Sequence, residues 1–164
     1  MKLDDAITVL DHHIDDPTVG LPDDIFYFIS RTTPLVNVDL LIKDEEGRTL
    51  LAWRDDMYAG TGWHLPGGIV RYKETFEARV RKVAETEIGT NVAFDPEPVT
   101  MNQLIHHKHR NRGHFISILY RCALSRSFVP ENRGLKKNDP GYLQWHVRCP
   151  ENMIRYHDIY RKYI

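Results

Sequence analysis

The sequence WHLPGGIVRYKETFEARVRKVAETEIGT, residues 63–90, decides how the rest of the chain is interpreted. Two adjacent glycines, Gly67 and Gly68, follow a short apolar segment and lead into a charged stretch without Gly or Pro. That stretch is rich in good helix formers and stops at Gly89, which suits a left-handed C-cap. We therefore predict a glycine loop followed by a helix over residues 73–88.

One face of the predicted helix is apolar until its last turn. Glu87 ends this face. It is either solvated, as most glutamates are, or it points inward and needs a cationic partner such as a divalent metal. Glu85 lies about 200° around the helix from Glu87 and is predicted to face away. The stripe, at steps of four, three and four residues, comprises Phe76, Val80, Val83 and Glu87.

This spacing resembles the signature of Nudix hydrolases, G-x5-E-x7-R-E-U-x-E-E-x-G-U with U aliphatic, a loop-helix-loop that binds magnesium and a diphosphate. The loss of two helix carboxylates is similar to the variant box of GDP-mannose mannosyl hydrolases, a Nudix branch that keeps only the last Glu as a metal ligand. Four positions agree with the signature: Gly68, Glu74, Glu87 and Gly89. Four depart from it: Lys82, Val83, Thr86 and Thr90.

The resemblance extends upstream of this degenerate box. TTPLVNVD, residues 32–39, looks like the S-T-P-L-V-S-L-D opening of the mannosyl hydrolases, and the spacing from Leu50 through Arg54 to the glycines matches that branch without a gap. The match places Asp39 and Arg54 on positions that contact the nucleotide sugar, where the Arg helps to stabilise the departing diphosphate. A guanidinium suits that role because its planar fork donates two hydrogen bonds to phosphate. On sequence alone, a solvated Arg54 and an outward edge position for Asp39 remain open.

The resemblance also implies a magnesium site, with Mn²⁺ as an alternative ion. The Gly68 carbonyl and Glu87 would supply oxygen ligands, together with a substrate diphosphate and waters. Asn138 or Asp139 would be additional ligands. The remaining box positions are expected to be structural: Gly67, Glu74, Lys82 and Gly89.

The loop HHKHRNRGH, residues 106–114, is the strongest local basic cluster, with four His, one Lys and two Arg. A solvated loop and a site for an anionic ligand are both open. A transition-metal site is disfavoured, because His106 and His107 are adjacent and no Cys or acidic ligand lies nearby. By resemblance, His107 and His114 match histidines of the mannosyl hydrolases and are expected to bind substrate.

The segment KKNDPGYLQW, residues 136–145, departs from the resembled branch. Those hydrolases carry a Gln-His pair shortly before the matching Trp, and the His is their general base. No His occurs in this segment, and Asp139 becomes the candidate base. Phe115 also stands where that branch is expected to have a catalytic Tyr.

Length and composition favour one domain without a bias toward polyanions. The chain has 164 residues, 41% of them hydrophobic, and its 22 basic and 23 acidic residues give a net charge of −1. This balance argues against nucleic acid or an anionic membrane as a partner. Two cysteines, Cys122 and Cys149, are expected to be reduced packing residues. No apolar run approaches the ~20 residues of a membrane span, so we expect a cytoplasmic protein.

The predicted elements give an α/β fold, a Nudix α/β/α sandwich with a mixed sheet. Residues 1–31 form an N-terminal helical extension, which covers the domain or reaches a second subunit, and residues 32–164 form the Nudix domain. The resemblance implies a homodimer. Strands are predicted over residues 33–42, 49–54, 99–105, 115–123 and 142–147, with a terminal helix opened by Pro150.

Three functions follow. The leading hypothesis is magnesium-dependent hydrolysis of a nucleoside diphosphate sugar similar to GDP-mannose, which gives nucleoside diphosphate and sugar. The second is ordinary Nudix cleavage of another diphosphate-linked substrate. The third is a Nudix fold that binds a ligand with little turnover.

Overall fold

Residues 2–164, described by a computed structural model, form one eight-stranded sheet with helices on both faces. The helical elements are α1 (Leu3–His12), α2 (Asp23–Ser30), α3 (Phe76–Val83), a π-helical turn (Ala84–Ile88) and a 3-10 helix (Arg155–Tyr163). The strands are β1 (Leu35–Lys43), β2 (Thr49–Asp56), β3 (Gly60–His64), β4 (Gly67–Ile69), β5 (Ala93–Phe94), β6 (Thr100–Ile105), β7 (His114–Ala123) and β8 (Leu143–His146).

The sheet is mixed, as predicted. Its main path is β3-β2-β1-β7-β5, while β4 pairs with β1, β6 with β7 and β8 with β2. Strands β1 and β7 run parallel, from Leu35 opposite Phe115 to Lys43 opposite Ala123, and the other pairs are antiparallel. The predicted α/β class is confirmed.

Alternate residues of β1 serve two separate cores, since successive side chains of a strand point to opposite faces. Val38 and Leu40 are fully buried in the core that includes Val80 of α3. Leu41 packs in the other core with Tyr160 of the 3-10 helix. The chain is therefore layered as helix, sheet and helix, and Asp39 shares the face of Leu41.

The helix after the glycines differs from its prediction at its start. Lys73 has a φ of +57°, which is incompatible with a helix, and the Thr75 hydroxyl caps the helix by accepting from the Ala78 N–H at 3.1 Å. Phe76 is 43% exposed at the first helical position and does not join the buried stripe. The predicted end is confirmed, because Gly89 has a φ of +79° as the C-cap.

The terminal helix starts five residues later than its predicted opening at Pro150. Residues 152–154 are held against β3, since the Trp63 N–H donates to the Asn152 carbonyl and the Ile154 N–H donates to the Trp63 carbonyl, both at 2.9 Å. Pairing with a strand competes with helix formation here. The helix forms only after Ile154.

The predicted N-terminal helical extension contains two helices, α1 and α2. None of the residues of α1 is buried, whereas α2 buries Ile25 and Ser30. The Arg112 N–H donates to the Ser30 hydroxyl at 3.1 Å, which ties α2 to the basic loop. A domain boundary at residue 31 stays a prediction. Both cysteines are free, and within residues 2–164 no helix is long and apolar enough to cross a membrane.

Candidate functional site

A cavity of about 770 Å³ lies between the N-terminal segment, the sheet and the 3-10 helix. Residues 14–29 cover it with an apolar wall that includes Leu21, Ile25 and Phe26. The N-terminal extension therefore helps to form the cavity. The opposite wall is polar and contains Asn37, Asp39, Arg54, His64, Arg112 and His157.

The two glycines allow β4 to pass between Asp39 and helix α3. Gly67 lies opposite Asp39 in the sheet, and a Cβ at this position would overlap the Asp39 carboxylate. A Cβ on Gly68 would lie 2.8 Å from Cγ2 of Val83. A side chain at Gly67 would force β4 away from Asp39, and a side chain at Gly68 would force it away from α3.

Asp39 is only 2% exposed and points into the protein, which excludes the outward edge position. Its carboxylate accepts hydrogen bonds from the Ser117 hydroxyl, from the Tyr160 hydroxyl at 2.7 Å and from the Asn37 amide at 2.8 Å. Burial raises the pKa of Asp39, and these hydrogen bonds oppose the shift. A buried carboxylate needs such partners, so the network orients Asp39 at the cavity wall.

Glu87 lies on the π-helical turn, close enough to Arg54 and Asp39 for their charges to act on it. It makes no ion pair with any residue from 2 to 164. Desolvation by the surrounding protein raises the pKa of Glu87 to about 7, while Arg54 and the Gly67 N–H oppose the shift. The residue remains open to solvent on one side and does not line the cavity itself. Such a carboxylate suits a cation that arrives from solution.

The other box carboxylates are engaged in structural contacts. Glu74 accepts from the Arg79 guanidinium at 2.7 Å and from the Arg71 N–H at 2.9 Å. Lys82 pairs with Glu85 at 2.9 Å on the surface. Both carboxylates are therefore already paired with a cation of the protein.

The described residues contain no group of three or more His, Cys, Asp or Glu side chains that could hold a metal. The available donors at the box are the carboxylate of Glu87 and the carbonyl of Gly68. Mg²⁺ is usually held by one or two carboxylates plus waters and substrate phosphates rather than by a complete protein cage. This reduced oxygen set fits a magnesium ion that binds together with a diphosphate.

Two guanidinium groups share the polar wall. Arg54 donates through Nε to Asp56 at 2.5 Å, and Arg112 lies over the Tyr58 ring at 4.9 Å. Nε of Arg112 is enclosed and has no hydrogen-bond partner within residues 2–164. Burial and the charge of Arg54 lower the pKa of Arg112. The charge of Asp56 opposes this shift, and the guanidinium N–H groups that the protein does not use suit an anionic ligand.

The structure brings different residues of the basic loop to the cavity from those predicted. His107 is exposed, and Nε2 of His114 contacts the Gln103 amide at 2.9 Å, so neither lines the cavity. His106 and Arg112 do line it. The Asn-Arg-Gly sequence at 111–113 is a turn signal and could have indicated that the chain reverses there.

Asp139, the predicted base, does not line the cavity either. Its carboxylate accepts from the Lys136 N–H at 2.7 Å and closes a local turn. The Gly141 N–H donates to the Trp53 carbonyl at 2.9 Å, so this turn does approach the strand that carries Arg54. The catalytic role of Asp139 stays a prediction without support from its side-chain geometry.

Sequence reasoning missed two histidines of the polar wall. His64 and His157 are each 8% exposed, and burial lowers the pKa of both to about 3. They are therefore neutral at physiological pH. His64 lies just before the glycines, but nothing in the sequence indicates that His157 meets it across the fold.

Comparison with known proteins gives a family and several likenesses. Residues 33–157 match the family described as NUDIX domain. The low-salt glycan biosynthesis protein Agl8 of Haloferax volcanii is 40% identical over 81 residues, which are 49% of this chain and 51% of that protein. The chain thus matches about half the length of this relative.

Two solved structures share the fold. The MutT NUDIX hydrolase from Burkholderia pseudomallei has a TM-score of 0.62 and 23% identity, over 80% of this chain and 98% of that chain. The MutT protein from Methanosarcina mazei Go1 has a TM-score of 0.61 and 19% identity, over 80% of this chain and 91% of that chain.

Proposed function

Because this chain belongs to the NUDIX domain family, we propose that it hydrolyses a nucleoside diphosphate sugar to nucleoside diphosphate and free sugar. Water attacks the sugar carbon, the bond from that carbon to the diphosphate oxygen breaks, and the proton of water is released. The reaction depends on Mg²⁺, which Mn²⁺ can replace. The observation that carries this proposal is the pair of guanidinium groups, Arg54 and Arg112, in one cavity beside Asp39.

Arg54 and Arg112 would bind the diphosphate. Each guanidinium offers several N–H donors in a fixed plane, and phosphate oxygens only accept. As the sugar bond breaks, negative charge grows on the diphosphate, so both cations stabilise the leaving group more strongly in the transition state than in the substrate.

Gly68 and Glu87 would hold the divalent ion through their carbonyl and carboxylate oxygens. A divalent ion held there would neutralise charge on the departing diphosphate. Glu87 lies on the π-helical turn that ends at the left-handed Gly89. Asp39, fixed by three hydrogen bonds, would bind the sugar or the reacting water at the cavity wall.

Cleavage at the sugar is favoured over cleavage between the phosphates by the reduced box. Ordinary Nudix diphosphate cleavage usually employs further helix carboxylates, and Val83 and Thr86 replace them here. The name of the Haloferax relative, a glycan biosynthesis protein, also supports a substrate that contains a sugar. A metal position with one carboxylate suits a reaction in which the leaving group needs neutralising and the phosphorus atoms are not attacked.

Product analysis tests the proposal. The purified protein is incubated with Mg²⁺ and GDP-mannose, UDP-glucose and related nucleotide sugars, and the products are identified by mass spectrometry. We expect free sugar and nucleoside diphosphate. Sugar phosphate with nucleoside monophosphate would show diphosphate cleavage instead, and binding without turnover would show a ligand-binding protein.

We also propose a homodimer in which the N-terminal helices contact the partner. Helix α1 supports this, because its apolar side chains are exposed: Leu3 is 76% exposed, Ile7 47% and Leu10 36%. Sedimentation of the protein and of an Ile7→Lys variant tests it. A monomeric wild-type protein would refute it.

A further inference from the structure

The backbone of Leu65 determines which ring nitrogen carries the proton in His64 and in His157, and the result is opposite for the two rings. The Leu65 carbonyl accepts from Nδ1 of His64 at 2.7 Å, and a carbonyl cannot donate. Nδ1 of His64 therefore carries the proton. The Leu65 N–H donates to Nδ1 of His157 at 3.0 Å, so that nitrogen carries none.

The second nitrogen of each neutral ring then has a defined role, because neutral imidazole has one donor and one acceptor. Nε2 of His64 is an acceptor, and Nε2 of His157 is a donor. Both rings line the cavity, and their centroids are 5.9 Å apart. The cavity wall thus presents a fixed acceptor next to a fixed donor.

Neither nitrogen is engaged by the protein. Nε2 of His157 is 3.9 Å from the Asp39 carboxylate, which is longer than a hydrogen bond. Nε2 of His64 has no hydrogen-bond partner within residues 2–164. Both functions are therefore available to a ligand.

A hydroxyl group complements this arrangement because it donates and accepts at once. Its O–H would donate to His64, and its oxygen would accept from His157. An ionised phosphate oxygen can only accept, so it leaves the His64 acceptor without a partner. The two histidines therefore favour a hydroxyl group over a phosphate group. Phosphate groups would bind to Arg54 and Arg112 instead.

We propose that His64 and His157 form a subsite that recognises a hydroxyl group of the sugar and positions the glycosyl portion of the substrate. The subsite rests on the proposed function for the identity of its ligand. Its two histidines are positioning residues for binding the sugar and take no proton from it.

Binding of paired ligands tests the subsite. Calorimetry in EDTA, which prevents turnover, compares GDP-mannose with GDP on wild-type protein and on His64→Leu and His64→Gln variants. We expect His64→Leu to weaken GDP-mannose binding about tenfold and to change GDP binding less than about twofold. His64→Gln, whose amide oxygen accepts a hydrogen bond, should restore most of the affinity. Equal losses for both ligands, or no loss for either, would overturn the subsite.

Wild-type protein gives a second test that does not depend on the folding of a variant. The affinities of the 2-, 3-, 4- and 6-deoxy analogues of GDP-mannose are measured, and one analogue should bind about tenfold more weakly than the parent, because it leaves buried polar groups unpaired. Four affinities equal to that of the parent would overturn the subsite. This outcome is separate from the turnover assay, since binding can discriminate sugars whether or not the sugar bond is hydrolysed.

Discussion

Residues 63–90 and the basic loop at 106–114 both face the candidate site, but the sequence predicts them with different success. In the first stretch, the glycine pair, the helix and the position of Glu87 near the site follow from regular spacing. In the loop, the predicted histidines lie outside the cavity, and Arg112 and His106 line it. In a helix, the side-chain directions repeat about every 3.6 residues, so the direction of each side chain can be predicted from the sequence. A loop has no such repeat, so each residue's direction depends on turns closed elsewhere in the fold.

Among substitutions in the two regions, the largest loss of activity is expected at Glu87. Replacing it by Gln removes the charge of the box carboxylate that makes no ion pair within residues 2–164, and we expect Mg²⁺-dependent kcat/KM to fall about 1000-fold. The assay is release of sugar from the substrate identified in the panel. Glu85→Gln is the matched control, because this neighbour pairs with Lys82 on the surface and should retain activity within about twofold. Full activity of Glu87→Gln would remove the box from the metal site.

Within residues 63–90, some features could be predicted from the sequence and others could not. Spacing predicts the left-handed Gly89 and the alternating faces of β1, because both are local consequences of chain geometry. It does not predict the left-handed Lys73 or the late start of α3, where the Thr75 cap competes with an earlier start. The meeting of His64 with His157, 93 positions later, depends on packing between distant segments and has no local signal.

Acid should destabilise the protein through its buried histidines, of which His64 lies in the first region and His106 in the loop, because burial also lowers the pKa of His106, to about 4. The pKa of His64 is lowered to about 3, below its value in the unfolded chain, so the unfolded state binds more protons as the pH falls below about 6.5. His64 should therefore remove about 2 kcal/mol from the free energy of unfolding between pH 6.5 and pH 5. Urea denaturation at both pH values measures this. His64→Gln should lose less stability in acid than wild type, whereas His107→Gln should behave as wild type. The same acid loss in all three proteins would contradict this account.

Arg112 is the loop residue expected to matter for binding. Arg112→Met keeps an unbranched apolar stem but removes a cation from the cavity, and we expect the Kd for GDP to rise about tenfold. Arg110→Met removes the same charge from an exposed position of the same loop and serves as the control. Equal effects of the two changes would mean that the loop acts only through its net charge. Higher salt should weaken binding to the wild type and to Arg110→Met, but much less to Arg112→Met.

The smallest effects are expected at the two histidines that resemblance placed in the substrate site. His107 is exposed, and Nε2 of His114 is 2.9 Å from the Gln103 amide, so neither side chain reaches the cavity in this structure. His107→Gln and His114→Gln should each keep kcat/KM within about twofold, because removal of a solvated side chain changes little. A loss of tenfold or more in either variant would show that the loop rearranges when substrate binds, as binding loops often do. In that case, the roles of the loop residues would have to be assigned from the substrate-bound form of the loop and not from its turn at 111–113. His107 or His114 would then belong to the site together with Arg112.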